Sequence, residues 1–424
     1  MISRKLFRGH HRFTTAATKA IHDVCIVGAG AVGCSIAKFL LDLGPSLSVC
    51  VVERDPSYKI SSSVLSLGSI RQQFSEPTNV KISQFGIEFI RELSPDVQFD
   101  EGGYLFLAGH GEGARQLREN VDKQVSLGSP IRHFGGGSKL KEKYPWMNTD
   151  DIEESALGLS GEGWFDPYTL TMALKNTARQ NGAVFVEGDI KAINEDATSI
   201  RFYDSQKKSM GEIVCSSVIN AAGCWSRNVL TTVDGVDNTL ANKILPVFPR
   251  KRNVFVVHCP DPVLQNPSVP LIVCPSGVYV RREGSPERGI FLCGGMESVA
   301  SDDPDCVGDA AELVVDHNLW ETAVWPAIAK RIPAFEVAKV QSSWCGFYDY
   351  NTYDQNGLIG KILPNIDNFY VATGFSGHGI QQAPAVGRGV AELVVDGGYR
   401  SLDLSELSAT RVQEGRVVKE KNIV

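Results

Sequence analysis

The chain has 424 residues, a formal net charge of -7 and 43% hydrophobic residues. Because that length exceeds what one hydrophobic core usually organises, we expect two domains. The acidic balance argues against a nucleic-acid partner and favours a small molecule, and the ten cysteines, with no CxxC pair among them, argue against a metal site.

The first 22 residues are basic and rich in hydroxyl side chains, and no acid precedes Asp23. Their lysines and arginines are Arg4, Lys5, Arg8, Arg12 and Lys19. This composition is typical of a mitochondrial transit peptide and predicts a matrix protein, with association with the inner membrane left open. The alternative is a disordered basic tail without a targeting role. No apolar run is long and unbroken enough to span a bilayer, so we expect no transmembrane segment.

Residues 23–55 read as a short apolar strand, a glycine turn, a helix and a second strand that ends in an acid. Gly28 turns the chain, Gly30 lets the backbone approach a pyrophosphate, and Gly33 lets the helix pack closely on the strand. Glu53 lies where a carboxylate can accept hydrogen bonds from ribose hydroxyls. The segment therefore predicts a dinucleotide site, and the alternative is an α/β unit that binds no nucleotide.

A polar, serine-rich loop follows Asp55, and such loops can wrap a ligand with hydroxyls and amides. A helix is predicted from about Thr78 to Glu92, and another in a segment that ends at Gly182. After Pro246 the pattern becomes β-rich, and from Trp344 a glycine-punctuated α/β pattern returns. This alternation predicts domains that are each assembled from separated segments.

Two later segments, "VINAAGCWS" and "ATGFSGHGIQQAPAVGRGVAELV", go beyond a generic dinucleotide motif. Together with "SSSVLSLGSIRQQFSEP", "PRKRNVFVVHCP", "VQSSWCGFYDYNTYDQNGLIG" and the terminal "KEKNIV", they resemble the D-amino-acid oxidase superfamily over nearly all of residues 23–400. Within it the chain is similar to the sarcosine oxidase and dimethylglycine dehydrogenase branch. The resemblance extends to mitochondrial members linked to assembly of respiratory complex I, which implies subunits or assembly intermediates of that complex as partners.

The resemblance implies an α/β fold of two domains, in which a Rossmann-like FAD-binding domain is interleaved with a substrate domain built on a mainly antiparallel sheet. The expected divisions are residues 1–22 for the leader, 23–92, 159–246 and 342–402 for the FAD-binding domain, 93–158 and 247–341 for the substrate domain, and 403–424 for a C-terminal tail.

FAD contacts follow from the resemblance residue by residue. Residues 61–63 would lie along the pyrophosphate, residues 221–223 would pass beside the nucleotide or merely end a strand, and residues 374–380 would reach the flavin ring. A helix from about Gln382 would aim its amides at the flavin and favour the reduced form. The expected contacts are Gly28, Gly30, Ala31, Val32, Gly33, Glu53, Arg54, Ser61, Ser62, Ser63, Ser69, Ile70, Ala221, Ala222, Gly223, Trp225, Gly374, Ser376, Gly377, His378, Gly379, Ile380 and Gln381.

Four residues are candidates for the catalytic site. Arg71 matches the position where family members hold a substrate carboxylate, a task that suits a bidentate guanidinium, and the alternative is a loop arginine paired with a local acid. His378 would touch the flavin or the substrate, or it is a structurally satisfied histidine. Tyr279 and Arg281 share one face of a strand and would meet the substrate if that face covers the flavin.

Three departures from the family pattern bear on chemistry. Phe291 stands where sarcosine oxidases place a lysine over the flavin, which predicts slow reaction with oxygen. Gln381 stands where they place a second carboxylate-binding cation. The loop "SVLSLG" lacks the histidine that dimethylglycine dehydrogenases attach to FAD, and Cys345 reads as a buried thiol, so we expect non-covalent FAD.

These observations predict an FAD-dependent enzyme that oxidises a C–N bond of an amine or an N-substituted amino acid. Hydride would pass to flavin N5, and electrons would leave to an unidentified acceptor rather than rapidly to oxygen. One rival is an FAD-containing assembly or chaperone factor for complex I with little turnover, and a second is an NAD-dependent dehydrogenase. The sequence contains no HExxH, Walker or GxSxG motif that would indicate another class.

Overall fold

The computed structural model describes residues 19–94, 96–266, 268–295 and 306–422. Most of the expected leader, residues 1–18, therefore lies outside the described residues. The strands are β1 (Lys19–Val27), β2 (Val49–Glu53), β3 (Ser69–Ile70), β4 (Tyr104–Ala108), β5 (Ile131–His133), β6 (Glu154–Gly158), β7 (Gly163–Trp164), β8 (Val184–Glu187), β9 (Asp189–Ile193), β10 (Ser199–Asp204), β11 (Ser209–Asn220), β12 (Val247–His258), β13 (Leu271–Val273), β14 (Tyr279–Arg282), β15 (Ile290–Gly294), β16 (Lys339–Asn351), β17 (Leu358–Lys361) and β18 (Phe369–Thr373). The α-helices are α1 (Ala31–Leu43), α2 (Ser62–Leu65), α3 (Pro77–Glu92), α4 (Glu112–Ser126), α5 (Gly137–Lys143), α6 (Pro167–Gln180), α7 (Ser226–Leu230), α8 (Asn238–Ile244), α9 (Trp325–Arg331), α10 (Gly379–Asp396) and α11 (Arg411–Glu414).

The first sheet has the strand order β17-β18-β11-β1-β2-β8, with β10 and β9 added beside β11. Strands β18, β11, β1, β2 and β8 run parallel, and the apolar run of β1 and β2 suits strands that are buried on both faces. Their carboxyl ends share one edge of the sheet. The turn after β1, the acid at the end of β2 and the loops after β11 and β18 therefore meet there, where sheets of this type bind ligands.

Helices α1, α3, α6 and α10 form a layer on this sheet. Helix α10 can approach α1 closely because it presents Gly387, where an added Cβ would lie 2.6 Å from Cβ of Ser35. Helix α10 begins at Gly379, so the expectation of a start near Gln382 is wrong by three residues. Gly379, Ile380 and Gln381 consequently form the first turn of the helix.

The second sheet has the order β16-β12-β15-β14-β13-β4-β6-β5, and only β13 beside β4 is parallel within it. Phe255, Phe291 and Phe335 are buried together in the core of this layer. The expected boundary between the substrate domain and the last FAD-binding segment, at residue 342, lies within strand β16. This strand pairs with β12 in the second sheet. In the described part of the chain, none of the helices has the length and apolar character needed to cross a bilayer.

Candidate active site

A cleft of about 340 Å³ lies at the carboxyl edge of the first sheet and is closed on its other side by the second sheet. The sequence-predicted residues that line it are Gly28, Gly30, Val32, Glu53, Arg54, Ser61, Ser62, Ser63, Ser69, Arg71, Ala221, Ala222, Gly223, Trp225, Tyr279, Gly377, His378, Gly379, Ile380 and Gln381. Those that do not line it are Ala31, Gly33, Ile70, Arg281, Gly374 and Ser376. The distant segments named from the sequence are thus brought to one cavity.

The glycine turn has the geometry that a nucleotide needs. Gly28 has φ 100°, and an added Cβ would lie 2.6 Å from the carbonyl oxygen of Ala221 on the neighbouring strand. Gly33 lies behind the cleft, where an added Cβ would be 2.0 Å from the carbonyl oxygen of Gly28. Gly30 faces the cleft, and a Cβ there would fill the space 3.1 Å from Oγ of Ser63. The turn therefore leaves room for a diphosphate.

Glu53 is held in place by the backbone around it. Its Oε2 accepts from the amide of Ala29 at 2.7 Å, and its Oε1 accepts from the amide of Asp55 at 2.8 Å. Each carboxylate oxygen keeps a lone pair that can accept from a ribose hydroxyl. Arg54 stacks over the ring of Trp225 at 4.8 Å, so these two side chains form one wall at the nucleotide end. This arrangement fits the ADP half of FAD.

Asp349, which sequence reasoning missed, shapes the loop that leads into α10. Its Oδ2 accepts from the amides of Gly374 at 2.6 Å and Phe375 at 3.1 Å, and its carbonyl accepts from the amide of Ser376 at 3.0 Å. Gly374 and Ser376 are thus loop-forming residues rather than cleft-lining ones, and Gly377, with φ 94°, faces the cavity. Burial raises the pKa of Asp349 to about 6 against the effect of these amides.

Arg71 and His378 contact each other at the inner end of the cleft. Nη2 of Arg71 lies 3.0 Å from Nε2 of His378, and Nδ1 of His378 lies 3.1 Å from the carbonyl oxygen of Phe375. Because a guanidinium only donates, Nε2 must accept, and the proton of the imidazole must sit on Nδ1. Burial, with the charge of Arg71, lowers the pKa of His378 well below its usual range. The imidazole is therefore neutral and orients Arg71.

The guanidinium of Arg71 is buried, lies beside the side chain of Tyr104 and donates to several acceptors of the protein. Among these are Nε2 of His378 and the carbonyl oxygen of Asn422, both from Nη2, and the carbonyl oxygen of Gln73 from Nη1. The guanidinium also packs over the ring of Phe74 at 4.0 Å. The role of Arg71 as an anchor for a substrate carboxylate stays a prediction. Both hydrogens of its Nη2 already have acceptors within the protein.

Of the two residues expected to share a strand face, only Tyr279 lines the cleft. Arg281 is buried and donates to the carbonyl oxygens of Leu67 at 2.7 Å and Arg282 at 2.8 Å. Lining residues that were not predicted include Tyr104, Arg252, Phe347, Tyr348 and Asp349. The alternation along β12 could have indicated Arg252, but its partner Tyr348 comes from a distant strand.

The expectation that Phe291 lies over the flavin is wrong. Phe291 is 1% exposed on the opposite face of the second sheet, with its ring 5.1 Å from that of Phe335. Strand register places Gly294 beside both Tyr279 and Val254, so Gly294 and, by alternation, Leu292 share their face, whereas Phe291 does not. The argument for slow reaction with oxygen therefore no longer rests on this position.

We expect the flavin to be held without a covalent bond. Cys345 is buried and does not line the cleft, whereas its neighbour Gly346 does, and the segment 61–71 offers no histidine or cysteine. After denaturation and filtration, the yellow colour should pass through the membrane with the small molecules. Colour that stays with the unfolded chain would contradict this prediction.

Glu162 gives the protein a pH dependence in the neutral range. It is fully buried and accepts from the amide of Gln72 and from Nε2 of Gln73, each at 2.7 Å, and burial raises its pKa from 4.5 to about 7. Because the pKa of Glu162 is higher in the folded than in the unfolded state, protonated Glu162 stabilises the fold. This contribution is complete below pH 4.5 and is lost as the pH rises through 7.

We therefore expect the free energy of unfolding to fall between about pH 5 and pH 8 by roughly 3 kcal/mol more in the native protein than in Glu162→Gln. Urea unfolding of both proteins across this range measures the difference. His378 and Asp349 are present in both proteins and cancel in the comparison. Parallel pH profiles would show that Glu162 does not titrate in this window.

A glycine turn before one helix, an acid facing the ribose position and the first turn of a second helix surround one cleft, which defines a flavin-nucleotide oxidoreductase. The chain belongs to the FAD dependent oxidoreductase (DAO) family, which matches residues 23–393. The predicted superfamily, fold class and cofactor are thereby confirmed.

Two relatives and one solved structure illustrate the similarity. The chain is 41% identical to FAD-dependent oxidoreductase domain-containing protein 1 of Xenopus laevis, over 95% of this chain and 85% of that protein. It is 26% identical to mitochondrial dimethylglycine dehydrogenase of Rattus norvegicus, over 92% of this chain and 44% of that protein. L-proline dehydrogenase from P. horikoshii shares the fold, with a TM-score of 0.77, 24% identity and coverage of 95% of this chain and 100% of that one.

Proposed function

We propose that this protein oxidises a C–N bond of an amine or an N-substituted amino acid, with hydride transfer to N5 of bound FAD. The observation that supports the proposal is the set of side chains at the inner end of the cleft. There Arg71 lies beside the first turn of α10, and the aromatic side chains of Tyr104, Tyr279 and Tyr348 line the same cavity. An apolar cleft with a few fixed polar groups suits a small organic substrate.

Bound FAD would supply the hydride acceptor, and the chain supplies position and electrostatics. The amides at the start of α10, from Gly379 and Ile380, lie where they would stabilise negative charge on reduced flavin. His378 cannot serve as a base while its Nε2 accepts from Arg71. The substrate amine is therefore expected to react in its unprotonated form, and kcat/KM should rise with pH until the substrate has lost its proton.

The test is a screen of amines and N-methyl amino acids for anaerobic bleaching of the flavin absorbance. A compound that bleaches the protein as a chemical reductant does identifies the substrate class. Comparing peroxide release with dye-coupled turnover then separates an oxidase from a dehydrogenase. If a chemical reductant bleaches the flavin and none of these compounds does, C–N oxidation is the wrong reaction.

A second candidate is an assembly or chaperone role for mitochondrial complex I with little turnover. The observation that favours it is the engagement of Arg71 by acceptors of its own chain. The basic, acid-free residues 1–22 support a mitochondrial location, in the matrix or at the inner membrane. An Arg71→Ala variant that retains FAD separates the two roles, because full support of complex I assembly by this variant would make catalysis at the site dispensable.

A further inference from the structure

Residues 418–422, here called the C-terminal strap, lead to Arg71, which lines the cleft. Their central residue, Glu420, is completely buried. Its carboxylate accepts from the amide and Oγ of Ser75, each at 2.8 Å, and from Nδ2 of Asn79 at 2.9 Å. A buried carboxylate with this many donors is a built part of the fold, because removing it from them would be costly.

The strap is also fixed where it begins. Asp354 and Arg411 form a buried two-point ion pair with both bonds at 2.8 Å. Asp354 accepts in addition from the amide of Val418 at 3.1 Å, and Nδ2 of Asn356 donates to the carbonyl of Val418 at 3.1 Å. The strap is thus held at its start and its centre before it reaches the cleft.

Its last described residue, Asn422, contacts the loop that carries Arg71. Nδ2 of Asn422 donates to the carbonyl oxygen of Gln73, and its own carbonyl oxygen accepts from Nη2 of Arg71. A guanidinium has two edges that can hold a carboxylate at two points, and each edge uses one Nη2 hydrogen. Since His378 and Asn422 take both of these hydrogens, neither edge of Arg71 is open.

We infer that the C-terminal strap is a specificity determinant of the cleft, because it closes Arg71 to two-point binding of a carboxylate. The inference rests on the proposed function and narrows its substrate class. Amines without a carboxylate next to the reacting C–N bond are preferred to simple amino acids. The strap stays in place when a carboxylate enters the cleft. One new contact between that carboxylate and Arg71 would not offset the cost of exposing Glu420 and breaking its hydrogen bonds.

The experiment titrates the FAD-loaded protein with acetate and, separately, with acetamide, and follows the change in flavin absorbance. In the native protein, the two ligands should bind with affinities within about threefold of each other, since Arg71 offers acetate no two-point contact. In Glu420→Ala, which releases the strap, acetate should bind at least about tenfold more tightly than acetamide. Lys421→Ala is the matched control, because the side chain of Lys421 is exposed and donates to Gln116 rather than to Arg71 or Glu420, so this variant should behave as the native protein.

The gain must also depend on the guanidinium fork. Adding Arg71→Lys to Glu420→Ala should abolish the preference for acetate, since lysine has no bidentate edge. If the native protein already prefers acetate by tenfold through Arg71, or if Glu420→Ala leaves the ratio unchanged, the inference is overturned. Should Glu420→Ala not fold, Ser75→Ala loosens the strap instead, because Oγ of Ser75 donates to Glu420 and accepts from the amide of Lys421, and it gives the same reading. If no amine bleaches the flavin, the proposed function is contradicted. The ratio of the acetate and acetamide affinities still tests the inference about the strap.

Discussion

Replacing Gly33 with alanine should yield a protein that no longer retains FAD. The new Cβ would lie 2.0 Å from the carbonyl oxygen of Gly28, and both atoms belong to rigid parts of the fold, a helix and the turn before it. Helix α1 would have to move away from the turn that cradles the diphosphate, at a cost of about 1–3 kcal/mol or more in packing and with the loss of the binding geometry. Flavin absorbance per chain after gel filtration measures the effect.

The matched control is Gly113→Ala. Gly113 lies in helix α4, and a Cβ added there would meet nothing within 4 Å. This variant should retain FAD fully and be more stable by about 0.5–1 kcal/mol, because alanine is the better helix former. A Gly33→Ala protein that keeps a full complement of FAD would show that close packing of α1 on the turn is not required.

Among the substitutions described, replacing Arg411 with methionine should lower the free energy of unfolding the most. Arg411 and Asp354 are both fully buried, and Arg411 also donates to the carbonyl oxygens of Leu407 at 2.9 Å and Asn356 at 3.0 Å. Removing the guanidinium leaves the buried carboxylate of Asp354 without its cation, and such losses cost about 3–5 kcal/mol. We expect a corresponding fall in the free energy of urea unfolding.

Arg416→Met provides the comparison for this prediction. Arg416 is 41% exposed, and its nearest acid, Glu414, is 3.6 Å away, so its loss should cost less than about 1 kcal/mol. Equal effects of the two substitutions would mean that the buried pair contributes no more than a surface contact. In that case the C-terminal strap would also lack the fixed starting point described above.

Two errors of the sequence-based predictions concern strand residues, whose surroundings depend on register and on the packing of distant segments. Phe291 was expected over the flavin, but the register of β15 places it in the core behind the sheet. That error arises because side chains alternate along a strand, so a displacement of one residue reverses the face. Arg281 does share the strand face of Tyr279, but its guanidinium donates to the carbonyl of Leu67 and does not line the cleft.

The sequence by itself determined the nucleotide half of this protein. Gly28, Gly30, Gly33 and Glu53 lie within one contiguous strand-turn-helix-strand unit, and the positive φ of Gly28, the close approach of Gly33 to Gly28 and the hydrogen bond from Ala29 to Glu53 all arise inside it. Only the tertiary structure decided the substrate half. One acceptor for Arg71 is the carbonyl oxygen of Asn422, which lies 351 positions further along the chain. Such a contact depends on how the whole chain packs rather than on any local pattern.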